Sequence, residues 1–542
     1  MDTRYDGRGV ELFPTPEMRN HSVTAASGQE EVEPINQLDT CALEQDALEV
    51  LRLIRSRMNG LAPINKIPPD VLTLIPDFCS GPGKEKLIIT LTHVCRDWRE
   101  MFISRASLWA NLSYVDAEKT RVYLKRSKSS PINLCLKRAE GLVCDDPFQE
   151  ITPPIVGRLK CLFLQAMDLR DITKYLTHPA PLLEHLTINR TPGDPRSYLV
   201  LPTTLFDGDL SSLRELHLYT VRTQLPWRSM INLTCFSLGF LFDHTISIGQ
   251  LLDFFESAPR LLEVELLHAT PFFGAQNGRV VSLGDLKKLT ISGGKSSSLL
   301  LDHLLIPVGV EMTTSLDLPG PQVEDHLPGS LKNLKNLSNF TKISFYRGRH
   351  FVSLELIGPN GRASMVSTSS EPDDPHLAFQ SLTQLDTSKT QWLKVVNGDL
   401  ISGGIYQALS SMTDLRTLTI SRCKSTISIL PALNPAIGHK DSMMCPKLEE
   451  IVFRTSERFN IESMVDIAAA RALRGSPLRS VRIIGRGEPV PREGVIELLK
   501  HVANVETSLD TGNETDYSSE DSDGDDDDED WGEGVPVMAL IP

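Results

Sequence analysis

One apolar phrase recurs along most of this chain. From about residue 155 the pattern L-x-x-L-x-L, or a close variant, appears as LKCLFL from Leu159, LEHLTI from Leu183, LRELHL from Leu213, LTCFSL from Leu233 and LLEVEL from Leu261. It returns as LKKLTI from Leu286, LRTLTI from Leu415, LEEIVF from Leu448 and LRSVRI from Leu478. The last two apolar positions of each copy are two residues apart. In a short strand they point to one side, and the residue between them points to the other. A single such strand cannot bury its apolar side, so the copies have to stack.

Proline marks the same register. Pro181, Pro259 and Pro446 each precede a copy, with apolar residues following at +2, +5 and +7. Helical patterns, LRDITKYLTHP and IGQLLDFFESAP, lead into the first two, and a helix that must end before a strand is a suitable place for proline. Each unit then reads helix, proline turn, strand. The stretch 293–400 fits this less well. HFVSLELIGPNGRASMVSTS reads as two strands joined at GPNG, a β-hairpin that interrupts or decorates the array, and degenerate repeats are the alternative. STSSEPDDPH after it reads as an exposed loop.

Upstream the period changes to that of helices. Leu38, Leu43, Leu48, Leu51 and Ile54 predict a short amphipathic helix over 35–60, packed on its neighbour rather than forming a separate coiled coil. IPPDVLTLI opens a second helix with prolines in its first turn and Asp70 at its positive end. After CSGPGKEK, which reads as a loop, a longer helix is predicted on which Leu91, Val94, Cys95, Trp98, Met101 and Phe102 form one apolar stripe. His93, Cys95 and Asp97 fall within five positions there and raise the question of a catalytic group. On a helix, residues two apart face away from each other, so His93 cannot activate Cys95 in the same turn. The expectation is a structural stripe.

The same residues carry a resemblance. A proline-led short helix, a loop and then LIITLTHVCRDWREMFISRASLWANL resemble an F-box: Ile67-Pro68, Val94-Cys95-Arg96-Asp97-Trp98 and Leu108-Trp109 match that family's Leu/Ile-Pro start, V-C-R-x-W core and closing Leu-Trp in order. Pro76 departs from it. An aromatic usually stands there, and a proline stops the first helix or starts another turn. The downstream phrases, starting 20 to 33 residues apart on either side of the 293–400 stretch, resemble leucine-rich repeats.

Composition narrows the function classes. At 542 residues, with 40 % hydrophobic and 23 % charged residues, the chain is ordinary for a globular protein. MDTRYDGRGVELF lacks the features of a secretory signal, and no run approaches the roughly 18 apolar residues of a membrane helix. A cytoplasmic or nuclear protein with no membrane partner is expected. Its nine cysteines include no C-x-x-C pair and fit reduced thiols, with no metal and no cofactor expected. CSGPGKEK fails the P-loop pattern at Phe78 and Glu85. The net charge of −15 falls to −1 once the fourteen acids from residue 501 onward are set aside. A neutral body with no basic stripe gives no reason to expect nucleic acid as a partner.

The expected organisation is α/β: residues 1–34 disordered, a helix at 35–60, an all-α F-box domain at 61–115, a repeat solenoid at 116–505 and a disordered acidic tail at 506–542. An F-box followed by such repeats resembles the substrate receptors of Skp–cullin–F-box ubiquitin ligases, above all the expanded F-box families of mushroom-forming fungi. The resemblance implies a non-catalytic subunit that docks on a Skp-type adaptor, and through it on a cullin–RING ligase, while its repeats hold an unidentified protein substrate. Ile67, Pro68, Val71, Leu72, Ile75, Leu91, Val94 and Trp98 match the adaptor-contacting positions. Phe163, Thr187, His217, Ser237, Glu265, Thr290, Thr419, Val452 and Arg482, the residues between the inward positions, are expected to line the substrate face. A repeat scaffold without ligase coupling is the alternative, and a hydrolase or thiol enzyme would require a His or acidic partner beside a cysteine.

Overall fold

In the computed structural model of the chain, the described residues are 35–78, 84–113, 117–137, 152–165, 176–189, 199–201, 204–223, 230–240, 246–268, 278–293, 296–316, 327–328, 330–347, 351–368, 382, 385–397, 403–422, 430–434, 443–455, 459–485 and 490–509. They form a mixed α/β protein dominated by one large, mostly parallel sheet. No helix among them is long and apolar enough to cross a membrane. Residues 1–34 and 510–542, most of LRDITKYLTHP and nearly all of STSSEPDDPH lie outside the described residues. The chain divides into two compact units, 1–79 with 84–101, and 80–83 with 102–542.

The first unit is helical: α1 (Ile35–Leu61), α2 (Pro69–Leu72), α3 (Ile75–Phe78), α4 (Lys84–Leu91) and the start of α5 (Arg96–Ser104). Pro69 opens α2, and the helix ends at Leu72, where Thr73 Oγ1 donates to the Asp70 carbonyl at 3.0 Å. α3 begins at Ile75 with Pro76 as its second residue. Pro76 has no N–H to give the carbonyl of Leu72, so one helix cannot run through, and the chain restarts instead.

Two expectations are corrected here. The single helix carrying Leu91 to Phe102 is two helices, broken over residues 92–95. Threonines account for the break. Thr90 Oγ1 bonds back to the Lys86 carbonyl at 2.8 Å, and Thr92 Oγ1 to that of Ile89 at 2.7 Å, drawing acceptors away from the helical ladder. Arg99 Nε then donates to the carbonyl of Thr92 at 2.9 Å and holds the bend. α1 is the second correction. Among the described residues it meets only the turn that follows it, where Asn65 Nδ2 donates to the Asn59 carbonyl at 2.6 Å, and every side chain from Thr40 to Leu61 is exposed.

In the second unit, seventeen strands among the described residues form one sheet. They are β1 (Asn111–Ser113), β2 (Ile132–Lys137), β3 (Leu159–Gln165), β4 (His185–Asn189), β5 (Glu215–Tyr219), β6 (Cys235–Gly239), β7 (Glu263–Leu267), β8 (Lys288–Ser292) and β9 (Glu311–Leu316). β10 (Lys342–Arg347), β11 (Phe351–Gly358), β12 (Gly361–Thr368), β13 (Trp392–Val396), β14 (Thr417–Ser421), β15 (Glu450–Thr455), β16 (Ser480–Gly485) and β17 (Asn504–Leu509) complete it. All nine apolar phrases are strands, and their paired apolar residues, such as Leu186 and Ile188 or Leu418 and Ile420, are buried. α6 (Ile248–Ser257) adds to that core, with Phe254 against Phe236 at 4.3 Å between ring centres. A reciprocal Ser247–Gln250 capping box starts it.

The prolines act in turns. Leu183, Leu261 and Leu448 each donate a backbone N–H to the residue before the proline, Ala180, Ala258 and Cys445. Each proline is therefore the second residue of a β-turn, where its fixed φ costs nothing. At the far end, several strands stop at a left-handed residue: Thr220, Phe240, His268, Asn397 and Arg422 all have φ between 45° and 59°.

Between 293 and 400, β9, β10 and β13 are strands of the same sheet that lack the full phrase. β11 and β12 form the hairpin, turning at Pro359-Asn360. The hairpin does not decorate the sheet. It is inserted into it, with spatial order β9-β12-β11-β10-β13 and parallel pairing restored on both sides. Gly361, at φ +146°, fits where a Cβ would lie 2.8 Å from the Val310 carbonyl. The sheet also runs four residues further than expected, through Leu509, with Arg482 Nε on Glu506 at 2.8 Å.

Leu108 and Trp109, expected to close the helical domain, belong to the second unit. Both are buried, and the Trp109 indole donates to the Phe102 carbonyl at 2.9 Å. It meets Tyr123 edge-on at 5.0 Å, with the Arg126 guanidinium 4.3 Å from its ring centre.

Candidate functional site

Strand register brings the nine expected face residues into one row. Phe163, Thr187, His217, Ser237, Glu265 and Thr290 are successive neighbours across β3 to β8. Thr419, Val452 and Arg482 are successive neighbours across β14 to β16. Thr313, Ser364, Glu355, Ser344 and Lys394 join the two groups through the inserted hairpin. Phrase matching missed these five because their strands lack it. Ser237, Val452 and Thr419 are largely buried and offer little to a ligand.

Residues two positions away complete the face over β4 to β7. Beside the row lie His185, Glu215, Cys235 and Glu263 on one side, and Asn189, Tyr219, Gly239 and Leu267 on the other. A network runs through them. His185 Nδ1 is 2.8 Å from Glu215 Oε2, His217 Nδ1 is 2.8 Å from Ser237 Oγ, and Tyr219 Oη donates to Glu265 Oε2 at 3.4 Å. Gly239 makes room for this. A Cβ there would stand 3.0 Å from the Tyr219 ring. Phe240 stacks on His268 at 5.2 Å next to it.

Burial sets the protonation states. It lowers the His217 pKa, against the opposing pull of Glu215 and Glu265, and so favours the neutral ring. It pushes Tyr219 up to about 12. Cys235 also rises to about 12, from burial first and from Glu263, Glu215 and Glu265 after it, which keeps the thiol protonated.

Serine, histidine and glutamate invite comparison with a nucleophilic triad. His217 Nε2 is 4.0 Å from Glu215 Oε2, outside hydrogen-bond reach, while that same oxygen binds His185. Ser237 is 2 % exposed. The arrangement is suited to presenting donors and acceptors to a bound chain. Among the described residues, no group of three or more His, Cys, Asp or Glu is placed to hold a metal ion.

The residues expected to contact an adaptor divide by exposure. Pro68, Val71, Ile75 and Val94 are exposed, and Ile67 and Leu91 are half-buried. Leu72 and Trp98 are interior, with the Trp98 indole donating to Asn65 Oδ1 at 2.6 Å. These two hold the helices together and present little surface. Ile64, Leu74, Phe78 and Ile89 are exposed apolar residues of the same unit that pattern reading missed. His93 is exposed and Cys95 half-buried in the 92–95 break, so the helix-period argument about them does not apply. No hydrogen bond or ion pair among the described residues joins His93, Cys95 and Asp97.

Compared with known proteins, the chain matches no family model, and no curated protein matches it in sequence.

Proposed function

We propose that this chain is the substrate-recognition subunit of a Skp–cullin–F-box type ubiquitin ligase. Its helical unit would dock on a Skp-type adaptor, and its sheet, read as a leucine-rich-repeat solenoid, would hold a target protein. The carrying observation is a run of exposed apolar side chains, Val71, Leu74, Ile75 and Phe78, on α2, α3 and the turn between them, with Phe78 82 % exposed. Exposed apolar patches of this kind mark interaction sites. Of the F-box-like residues, Ile67 and Pro68 directly precede α2, and Val94 to Trp98 lie in the break before α5 and on its first turn. In this reading the chain breaks no bond. It holds a target near an activated thioester and raises the effective concentration of a lysine there.

The target would meet the polar row between Thr187 and Glu265, where a network already orients donors and acceptors. Such a face fits another protein rather than nucleic acid, because it carries no basic stripe.

One observation favours the second reading, a repeat scaffold without ligase coupling. The break before Pro76 splits the first docking helix into two single turns. Pull-down of the full chain with a Skp-type adaptor separates the two readings. Capture that is lost in Val71→Asp or Leu74→Asp, with thermal stability retained, supports the ligase subunit. No capture by the folded wild-type chain leaves the scaffold.

A further inference from the structure

We infer that α1 is a self-association element, which pairs antiparallel with the α1 helix of a second copy of this chain. The inference is independent of the ligase reading. α1 has 27 residues, and from Thr40 to Leu61 its side chains are exposed all round. At about 1.5 Å per residue these residues form a rod of roughly 33 Å that no other described residue covers. Isolated helices gain most of their stability from packing an apolar face, so a helix of this composition calls for a partner.

At about 100° per residue, Leu43, Ala47, Val50, Leu51, Ile54, Met58 and Leu61 fall within one stripe about 100° wide. This is the face a second helix would cover. The charges select which helix. Asp39, Glu44, Asp46 and Glu49 all precede Arg52, Arg55 and Arg57 along α1. Asp46 and Arg57 flank the stripe on one side, and Glu44 and Arg55 flank it on the other.

In an antiparallel pair each flank faces its own counterpart with the direction reversed. Asp46 then meets Arg57 of the second copy, and Glu44 meets Arg55, four opposite-charge contacts per dimer. The dyad that aligns them lies between Val50 and Leu51. That register also sets Leu43 against Met58, Ala47 against Ile54 and Val50 against Leu51, so the apolar residues and the charges agree on one alignment. A parallel pair would place opposite flanks together, with Asp46 beside Glu44 and Arg57 beside Arg55. Flanking charges of this kind set partner choice and orientation in coiled coils. The segment is therefore complementary to itself only when reversed.

Sedimentation equilibrium of the full chain tests the pairing, and cross-linking through cysteines introduced on α1 in a Cys41→Ser background tests its direction. The wild type should show a concentration-dependent monomer–dimer equilibrium. Leu51→Glu with Ile54→Glu should weaken it by at least about tenfold, since both lie in the stripe and neither contributes to the core. An equimolar mixture of Leu43→Cys and Met58→Cys chains should form a disulfide between those two positions, mapped by mass spectrometry, while Leu43→Cys alone should not. A monomeric wild type overturns the inference, as does a dimer indifferent to the double substitution. Self-cross-linking of Leu43→Cys overturns the antiparallel arrangement.

Discussion

His217 and Ser237 stand side by side on adjacent parallel strands, the imidazole Nδ1 2.8 Å from the hydroxyl. The ring is buried enough that its protonated form is disfavoured in the fold. In the unfolded chain the same ring titrates near its ordinary value of 6.5. Below that pH the unfolded chain takes up a proton that the folded chain resists, so stability falls on acidification and levels off once the folded ring is also protonated. Thermal melts of wild type and His217→Gln from pH 8 to pH 5 should diverge, with wild type losing more of its stability over that interval. Parallel curves would refute this account.

Arg471 is fully buried, and its guanidinium donates to the carbonyls of Met444 and Cys445 at 3.1 and 2.8 Å. These carbonyls lie at the turn led by Pro446. Arg471→Ala leaves two buried acceptors unpaired and opens a cavity, and should cost about 3 kcal/mol in apparent unfolding free energy. Urea denaturation measures this, and a cost near zero would mean that the turn holds itself.

Trp98 and Val71 should separate stability from docking. Trp98→Phe removes the indole bond to Asn65 and should lower stability by about 1 kcal/mol. Val71→Asp lies on the surface and should leave the melting temperature within about a degree while abolishing adaptor capture.

Native alkylation should distinguish the thiols. Cys235 and Cys445 are each pushed up to about 12, chiefly by burial, whereas Cys41 is exposed on α1. Iodoacetamide at pH 8 should modify Cys41 and spare the other two until denaturant is added, as read by peptide mass spectrometry.

Gly361 should tolerate no side chain. Gly361→Ala adds strain at positive φ and places a Cβ against the Val310 carbonyl, at a cost of about 2 kcal/mol. A melt unchanged from wild type would show that the hairpin adjusts freely.

The features legible along the chain alone were local. The period of two assigned the buried and outward sides of nine strands, GPNG marked the hairpin turn, and Pro76 marked a helix restart, because each depends on neighbours within a few residues. The tertiary structure decided what depended on distant partners. The 92–95 break is the local exception: the bonds of Thr90, Thr92 and Arg99 that make it span only three to seven residues, but the apolar stripe alone is equally compatible with one continuous helix. Strands such as β9 and β13 form because adjacent strands supply their hydrogen bonds, so they need less of the phrase, and Thr314 is buried where the repeats usually place an aliphatic residue. Pairing across the sheet put the hairpin inside it and joined nine separated residues into one row, and it set Glu215 and Tyr219 around His217. Register between strands is a property of the assembled sheet, and no single strand encodes it.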